Sequence, residues 1–284
     1  MPSAIHEQGY RRYEARGPLR QLRFWPITRE ALRMLLQRKA FLALLALAWV
    51  QLVARAIQIW VVTQYPQAGR LLPIDGRLYG DFLSAQVPFV LFLMVFGGAG
   101  LIASDLRTGA ILVYLSRPLT RRDYVVGKLS VLLLLGLFVT LAPGLLLYLV
   151  GLALAPGQYL TLDLWWIAPG ILLQSLVLVV PLGLLALASS SLTRRPIVAG
   201  LGFFGLFMGL EMARGVLRQI FDQRWATLLS LQADLRSIGA ALFGNALRRF
   251  EAVPWHEAAL ALAAVCAVCL LVLRARVRAV EIVR

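Results

Sequence analysis

The sequence predicts an all-α integral membrane protein: six transmembrane helices, an N-terminal amphipathic interfacial helix, and short outer helices between spans five and six. Of the 284 residues, 60% are hydrophobic, which is above the range of ordinary soluble domains. These residues are concentrated in six runs of about 20, the length that a helix needs to cross a bilayer. Spans and short loops take up nearly the whole chain, so we expect a single membrane domain over residues 1–284.

The N-terminal region, residues 1–40, is polar and rich in arginine. Within it, Leu19–Leu36 mixes apolar residues with arginines, and Pro26 followed by Thr28 favours a helix start. An arginine-bearing amphipathic helix beside a span is expected to lie in the plane of the membrane interface. Trp25 suits the headgroup region, which makes a fully solvated helix the weaker alternative.

The first span is predicted at Phe41–Val62 and opens a bundle that covers residues 41–273. Gln51, Arg55 and Gln58 recur four and three residues apart and therefore share one helical face. Arg55 has two interpretations: it lines a polar pathway, as intramembrane charges commonly do, or its side chain reaches the outer surface. The sequence leaves both open, and the three residues are candidates for lining a pathway.

The remaining apolar runs are each long enough for one span, and a short tail at 274–284 follows the last. The predicted elements are an outer loop at Thr63–Asp81 and spans at Phe82–Ala103, Leu129–Leu149, Ile167–Ala188, from Ile197 onward, and Trp255–Leu273.

The fifth span contains Gly200-x-Gly202-x-x-Gly205, whose letters match a dinucleotide-binding fingerprint. That function is excluded because no strand precedes the glycines and no βαβ unit surrounds them. The spacing of Gly205 and Gly209 instead indicates a helix-packing face. Glu211 closes this apolar run and is a further candidate for lining a pathway.

The distribution of positive charge predicts that both termini are cytoplasmic. Twenty of the twenty-nine Lys and Arg residues fall in the N-terminal region, the loop between spans two and three, the turn after span four, and the tail. Six of the eight in predicted outer segments belong to Ala213–Pro254, a stretch that predicts amphipathic helices at the outer interface. This excess is the positive-inside bias. The net charge of +15 is therefore assigned to topology and the lipid bilayer, and no nucleic-acid partner is expected.

The sequence lacks the usual motifs of catalytic and metal sites. No G-x-x-x-x-G-K-[ST] motif occurs, so the chain is not expected to hydrolyse ATP by that route. His6 and His256 have no ligand or nucleophile companions at a recognisable spacing. Cys266 and Cys269 lie inside the last apolar run, where they are best interpreted as small packing residues. We expect no catalytic residue, no metal and no cofactor.

A polar, arginine-rich segment, Gly100–Leu129, separates the second and third spans and is predicted to be a cytoplasmic loop. Its residues include, in order, Asp105, Arg107-Thr108-Gly109, Leu115-Ser116-Arg117-Pro118-Leu119-Thr120-Arg121 and Gly127-Lys128. This order resembles the type-2 ABC transporter permeases, many of which have Glu in place of Asp105. The layout of an elbow helix, six spans and outer helices before the last span is also similar.

The resemblance implies a function. In type-2 permeases this segment docks on a separate cytoplasmic ABC ATPase subunit. The implied protein is the permease subunit of an ATP-driven transporter, an exporter, in a prokaryotic inner membrane. It would work as a homodimer or as a heterodimer with a second permease. The alternative is a non-transporting membrane anchor or assembly scaffold, and no feature of the sequence indicates a substrate.

Carried onto this chain, the resemblance assigns an ATPase-coupling role to residues of the Gly100–Leu129 segment. Pro118 is expected to fix the chain direction after Arg117, because its ring locks φ and disfavours helix at the preceding residue. Val113-Tyr114-Leu115 would form a small apolar knob for a groove in the partner. The alternative is that the arginines only set topology. The candidate coupling residues are Asp105, Arg107, Gly109, Tyr114, Arg117, Pro118, Arg121, Arg122 and Lys128.

Overall fold

The computed structural model describes residues 24–65, 67, 74–110, 120–154, 164–221, 224–244 and 253–279. Within these residues every regular element is a helix, and six of the helices are long and apolar enough to cross a membrane. The predicted all-α fold class with six spans is confirmed.

The described helices follow the predicted order, with one interruption inside the second span. They are α1 (Trp25–Leu36), α2 (Lys39–Gln64), α3 (Gly76–Leu93), a π-helical segment (Met94–Gly98), α4 (Ala99–Thr108), α5 (Arg121–Leu154), α6 (Ile167–Leu192), α7 (Pro196–Phe221), a 3₁₀ turn (Arg224–Leu229), α8 (Leu231–Phe243) and α9 (Trp255–Ala279). The second span is continuous from α3 through the π-helical segment to α4; the other spans are α2, α5, α6, α7 and α9.

The outer loop predicted at Thr63–Asp81 is wrong at both ends, because α2 runs to Gln64 and α3 begins at Gly76. The early start of α3 has a local cause. The side chain of Asp75 accepts a hydrogen bond from the backbone amide of Arg77 at 3.0 Å, and such a cap stabilises the first turn of a helix.

The segment Gly100–Leu129, predicted to be a loop, is mostly helical. α4 ends at Gly109, whose φ of 71° lies in the left-handed region that glycine adopts without strain. α5 begins at Arg121 because Thr120 and Asp123 form a reciprocal cap. The Thr120 amide donates to Asp123 Oδ2 at 3.0 Å, and the Asp123 amide donates to Thr120 Oγ1 at 3.2 Å. Residues 109–120 remain between the two helices.

The fourth span, α6, forms the centre of the bundle. Of its most apolar stretch, 72% is buried, against 17% for α2 and 22% each for α7 and α9. Small residues allow neighbouring helices to approach α6 closely: a Cβ on Gly98 would lie 2.9 Å from Ala186 Cβ. α2, α7 and α9 therefore keep broad apolar faces that the other described helices do not cover.

The region predicted as interfacial helices, Ala213–Pro254, differs from expectation. α7 continues through its first part to Phe221, and α8 is mostly buried against other helices. Within α8 only Arg236 and Ala241 are exposed, because the helix packs among α3, α6 and α9. Gly239 permits this packing, since a Cβ there would lie 3.0 Å from the Gln174 amide nitrogen of α6.

Candidate functional site

The second and third spans are joined by a buried ion pair at the two helix ends that flank residues 109–120. Lys128 Nζ of α5 lies 2.8 Å from Asp105 Oδ2 of α4, and the Tyr124 hydroxyl donates to the same oxygen at 2.8 Å. Lys128 is 4% exposed, Asp105 9% and Tyr124 not at all. We call these three residues the clasp. Because a buried charge is costly without its partner, the clasp fixes α4 and α5 to each other.

The clasp corrects the predicted loop placement of Asp105 and Lys128. Both were assigned to the loop that would touch a partner, but both lie in helices and are buried. Their charges neutralise each other inside the chain. Both side chains also line the groove described below, and their predicted part in ATPase coupling stays a prediction.

α1 is attached to the same place. Thr28 Oγ1 donates to the backbone carbonyl of Gly127 at 3.0 Å, next to Lys128 in sequence. A Cβ on Gly127 would lie 3.1 Å from the Phe24 carbonyl oxygen and 3.2 Å from Ile27 Cβ, so only glycine allows α1 to approach this closely. The Gly-Lys pair of the sequence thus has two physical roles, a close helix contact and an ion pair.

Ser190 connects the second span to the central helix α6. Its hydroxyl donates to the Ala99 carbonyl at 2.7 Å and accepts from the amides of Ile102 at 3.1 Å and Ala103 at 2.9 Å. These backbone groups directly follow the π-helical segment, where the α-helical hydrogen-bond ladder is interrupted. The sequence signal for this role was the Ser189-Ser190-Ser191 run, which carries no catalytic motif.

A groove of about 620 Å³ opens beside the clasp, between α1, residues 92–107 of the second span and the first residues of α7. Asp105 and Lys128 form part of its wall, together with Phe92, Phe96 and Leu201. We call the end of the bundle that contains the clasp, the groove and α1 the basic end. Its exposed cationic side chains include Arg29, Arg33, Arg38, Lys39, Arg107, Arg122, Arg194 and Arg195.

A family model described as ABC-2 family transporter protein matches residues 25–233, which is most of the chain. This chain belongs to the ABC-2 transporter family. The match begins at the first residue of α1 and includes the clasp. No curated protein matches the chain. The chain is a multi-pass membrane protein and a permease subunit of an ABC transporter.

Of the other coupling residues predicted for this ABC-2 protein, Arg107 and Arg122 are exposed at the basic end, and Arg121 is half-buried. Gly109 ends α4, as described above. Tyr114, Arg117 and Pro118 lie outside the described residues, so their role stays a prediction.

The candidate pathway-lining residues of the ABC-2 protein fall into two separate groups. In α2, Arg55 donates to Gln58 Oε1 at 2.8 Å, and Gln51 is half-buried on the same helix. In α7, Glu211 forms an ion pair with Arg214 and accepts a hydrogen bond from the Ser230 hydroxyl. α2 packs against α3 and α5, whereas α7 packs against α4 and α6. One chain does not bring the two groups together around a common path, and a pathway role for either group remains a prediction.

The predicted packing face of Gly205 and Gly209 is open in this chain. Both glycines are exposed, and a Cβ at either position would meet no described atom within 4 Å. If the face packs against a helix, that helix is not among the described helices of the same chain. A contact with a second chain stays a prediction.

Asp234 in α8 is a buried acid that the sequence prediction missed. It is 2% exposed, and its Oδ1 has no hydrogen-bond partner in the described part of the chain. Burial raises the pKa of Asp234 to about 7, because the charged form loses solvation. The prediction failed here because α8 was expected to lie at the membrane surface, where an aspartate would be solvated.

Proposed function

We propose that this permease subunit belongs to an ATP-driven exporter and that its basic end faces the cytoplasm, where it binds a separate ABC ATPase subunit. The excess of exposed Arg and Lys at this end supports the orientation. Both termini are then cytoplasmic, in a prokaryotic inner membrane. The export direction and the pairing with a second permease, identical or different, rest on the resemblance to type-2 permeases.

The observation that carries the proposal is the clasp. A force on residues 109–120 acts on α4 and α5 together, because the ion pair joins these two helices. Thr28 attaches α1 to the same place. Ser190 carries the same connection to the central helix α6. A bundle linked in this way moves as a body, which suits a rigid shift between two packings driven by ATPase closure. A passive membrane anchor, the alternative, has no need of such a linkage.

The test is the affinity of the purified permease for its ATPase. Arg117→Lys removes planar bidentate pairing but keeps the charge, and Tyr114→Ala removes the predicted apolar knob. We expect each to weaken association by roughly thirtyfold, the effect of losing about 2 kcal/mol at a buried anchor. Substrate-stimulated ATP turnover should fall with it.

Matched controls lie at the opposite end of the bundle. Arg77→Lys and Tyr65→Ala change the same residue types at exposed positions outside the basic end. They should leave association and turnover unchanged. If the Arg117 and Tyr114 variants behave like these controls, the arginines only set topology and the chain is an anchor.

A further inference from the structure

The groove at the basic end has the dimensions and the lining of a ligand site. Its volume of about 620 Å³ falls within the range of small-molecule and cofactor pockets. The wall is formed by apolar side chains of three elements: Met34 of α1, Phe92 and Phe96 of the second span, and Leu201 of α7. Phe96 is 62% exposed and Leu201 67%, so nothing in the described chain fills the space between them.

The groove changes from cationic to apolar along its length. Arg38 and Arg107 both line the groove, are exposed, and form no ion pair with a described residue. Phe92 lies fifteen residues before Arg107 on the same span, a distance of roughly 22 Å at 1.5 Å per residue. The remaining cation in the wall, Lys128, is neutralised by Asp105. Apart from the pair of Lys128 and Asp105, the charged side chains of the wall are therefore two arginines and Glu30.

A second observation points to the same place. The π-helical segment Met94–Gly98 forms part of the groove wall through Val95, Phe96 and Gly97. π-helical turns are rare inside α-helices because their hydrogen-bond geometry is less favourable. Those that do occur are frequently found at functional sites. This one lies in the apolar part of the wall and carries Phe96 itself.

We propose that the groove binds an anionic amphiphile from the adjacent membrane leaflet, with its headgroup at Arg38 and Arg107 and its acyl chain along Phe92 and Phe96. Charge decides between this occupant and a second copy of the chain. The exposed charged side chains of the basic end are mainly arginine and lysine, so a second copy would place like charges together. An anionic headgroup complements them. If the chain is the exporter subunit proposed above, on which this proposal rests, its substrate class is a lipid or lipid-like anion.

Gly100 offers a way to fill the groove without disturbing the fold. It lies in the wall, and a Cβ there would meet only Pro196 Cβ, at 3.9 Å. Gly100→Leu therefore directs a side chain into free space. Gly215→Leu is the matched control, because Gly215 is an exposed helical glycine on α7, outside the groove, with no described atom within 4 Å of its Cβ position.

The experiment uses the purified full chain, without ATPase, in phosphatidylcholine nanodiscs that contain a trace of photoactivatable lipid. Photoactivatable phosphatidylglycerol should label the peptide that contains Phe92 and Phe96 more strongly than photoactivatable phosphatidylcholine. Gly100→Leu should abolish most of this labelling, and Gly215→Leu should not. Arg38→Gln and Arg107→Gln should each lower the preference for the anionic lipid by about fivefold, the contribution of one basic residue near an anionic surface.

Equal labelling by the two lipids would overturn the proposal, and so would unchanged labelling in Gly100→Leu. A photo-cross-link between two chains at this peptide, in place of the lipid adduct, would show that a second copy fills the groove. ATPase binding is measured separately, on the variants of the 109–120 segment. Loss of lipid labelling with intact ATPase association would reject only the groove assignment.

Discussion

Each charge of the clasp depends on the other. Removing water from one buried ion costs several kcal/mol, and the contact between Lys128 and Asp105 offsets that cost. The clasp is therefore more sensitive to loss of one partner than to replacement of both. This asymmetry distinguishes it from an ion pair at the surface.

We expect Lys128→Met alone to lower the unfolding free energy by roughly 3 kcal/mol, because Asp105 is left buried without a counter-charge. The double variant Asp105→Asn, Lys128→Met should recover most of this loss. Thermal unfolding of the detergent-purified chain measures both.

The Asp75–Arg77 pair provides the comparison, since its side chains are 41% and 60% exposed and its atoms lie 3.9 Å apart. Arg77→Met and the double variant Asp75→Asn, Arg77→Met should differ by no more than about 1 kcal/mol, as exposed pairs do. Equal costs for Lys128→Met and for the double clasp variant would contradict a coupled pair.

Asp234 makes stability depend on pH. Its pKa is raised to about 7 in the folded chain from an ordinary value of 3.8, so the folded state retains a proton that the unfolded state releases. Stability is therefore greatest below pH 3.8 as far as this group is concerned, and falls as pH rises towards 7. Asp234→Asn should remove this contribution and raise the melting temperature at pH 8 by several degrees relative to the unaltered chain.

The pH profile separates a titrating carboxyl from simple repacking. At pH 5 the unaltered chain and Asp234→Asn should differ less than at pH 8. Glu257→Asn serves as the control, because Glu257 is an exposed acid of α9. A constant difference between the unaltered chain and Asp234→Asn at both pH values would show that the side chain does not titrate in this range.

At the scale of elements, glycines decide which helices touch. Gly127 allows α1 to pack closely against α5, and Gly239 leaves room for the Gln174 side chain against α8. Helix propensity gives no reason for a glycine at either position, because glycine weakens the interior of a helix. α1 is thereby connected to the third span as well as to the first, so a displacement of residues 109–120 reaches two elements at once.

At the scale of the whole molecule, the sequence was sufficient for the six spans, because length and apolar content decide insertion into a bilayer. Helix ends were less predictable. The starts of α3 and α5 depend on caps at Asp75 and Thr120, which extend helices into polar sequence. The burial of α8 could not be predicted from periodicity, because apolar residues at a spacing of about 3.5 with arginines between them predict an amphipathic helix whether or not neighbouring helices cover it.

The predicted coupling role of the candidate site stays a prediction, but the structure shows contacts among its residues that the sequence did not reveal. Asp105 and Lys128 were identified by their position in a family pattern, and their polarity suggested a surface role. Their pairing with each other depends on the relative rotation of α4 and α5, which spacing along the chain does not specify. Ser190 was recognised only as part of a polar run, since its partners lie some ninety residues away.

The π-helical segment means that the second span carries one residue more than an uninterrupted α-helix would need. The bulge absorbs this extra residue, so Asp105 keeps the orientation it would have if the residue had never been inserted. Deleting one residue within Met94–Gly98, for example Val95, should restore a plain helix and leave the clasp intact. Deleting Ile102 should instead turn Asp105 by about 100° away from Lys128, because each residue advances an α-helix by that angle. Melting temperatures of the two deletions would show whether this span tolerates length change at only one place along its course.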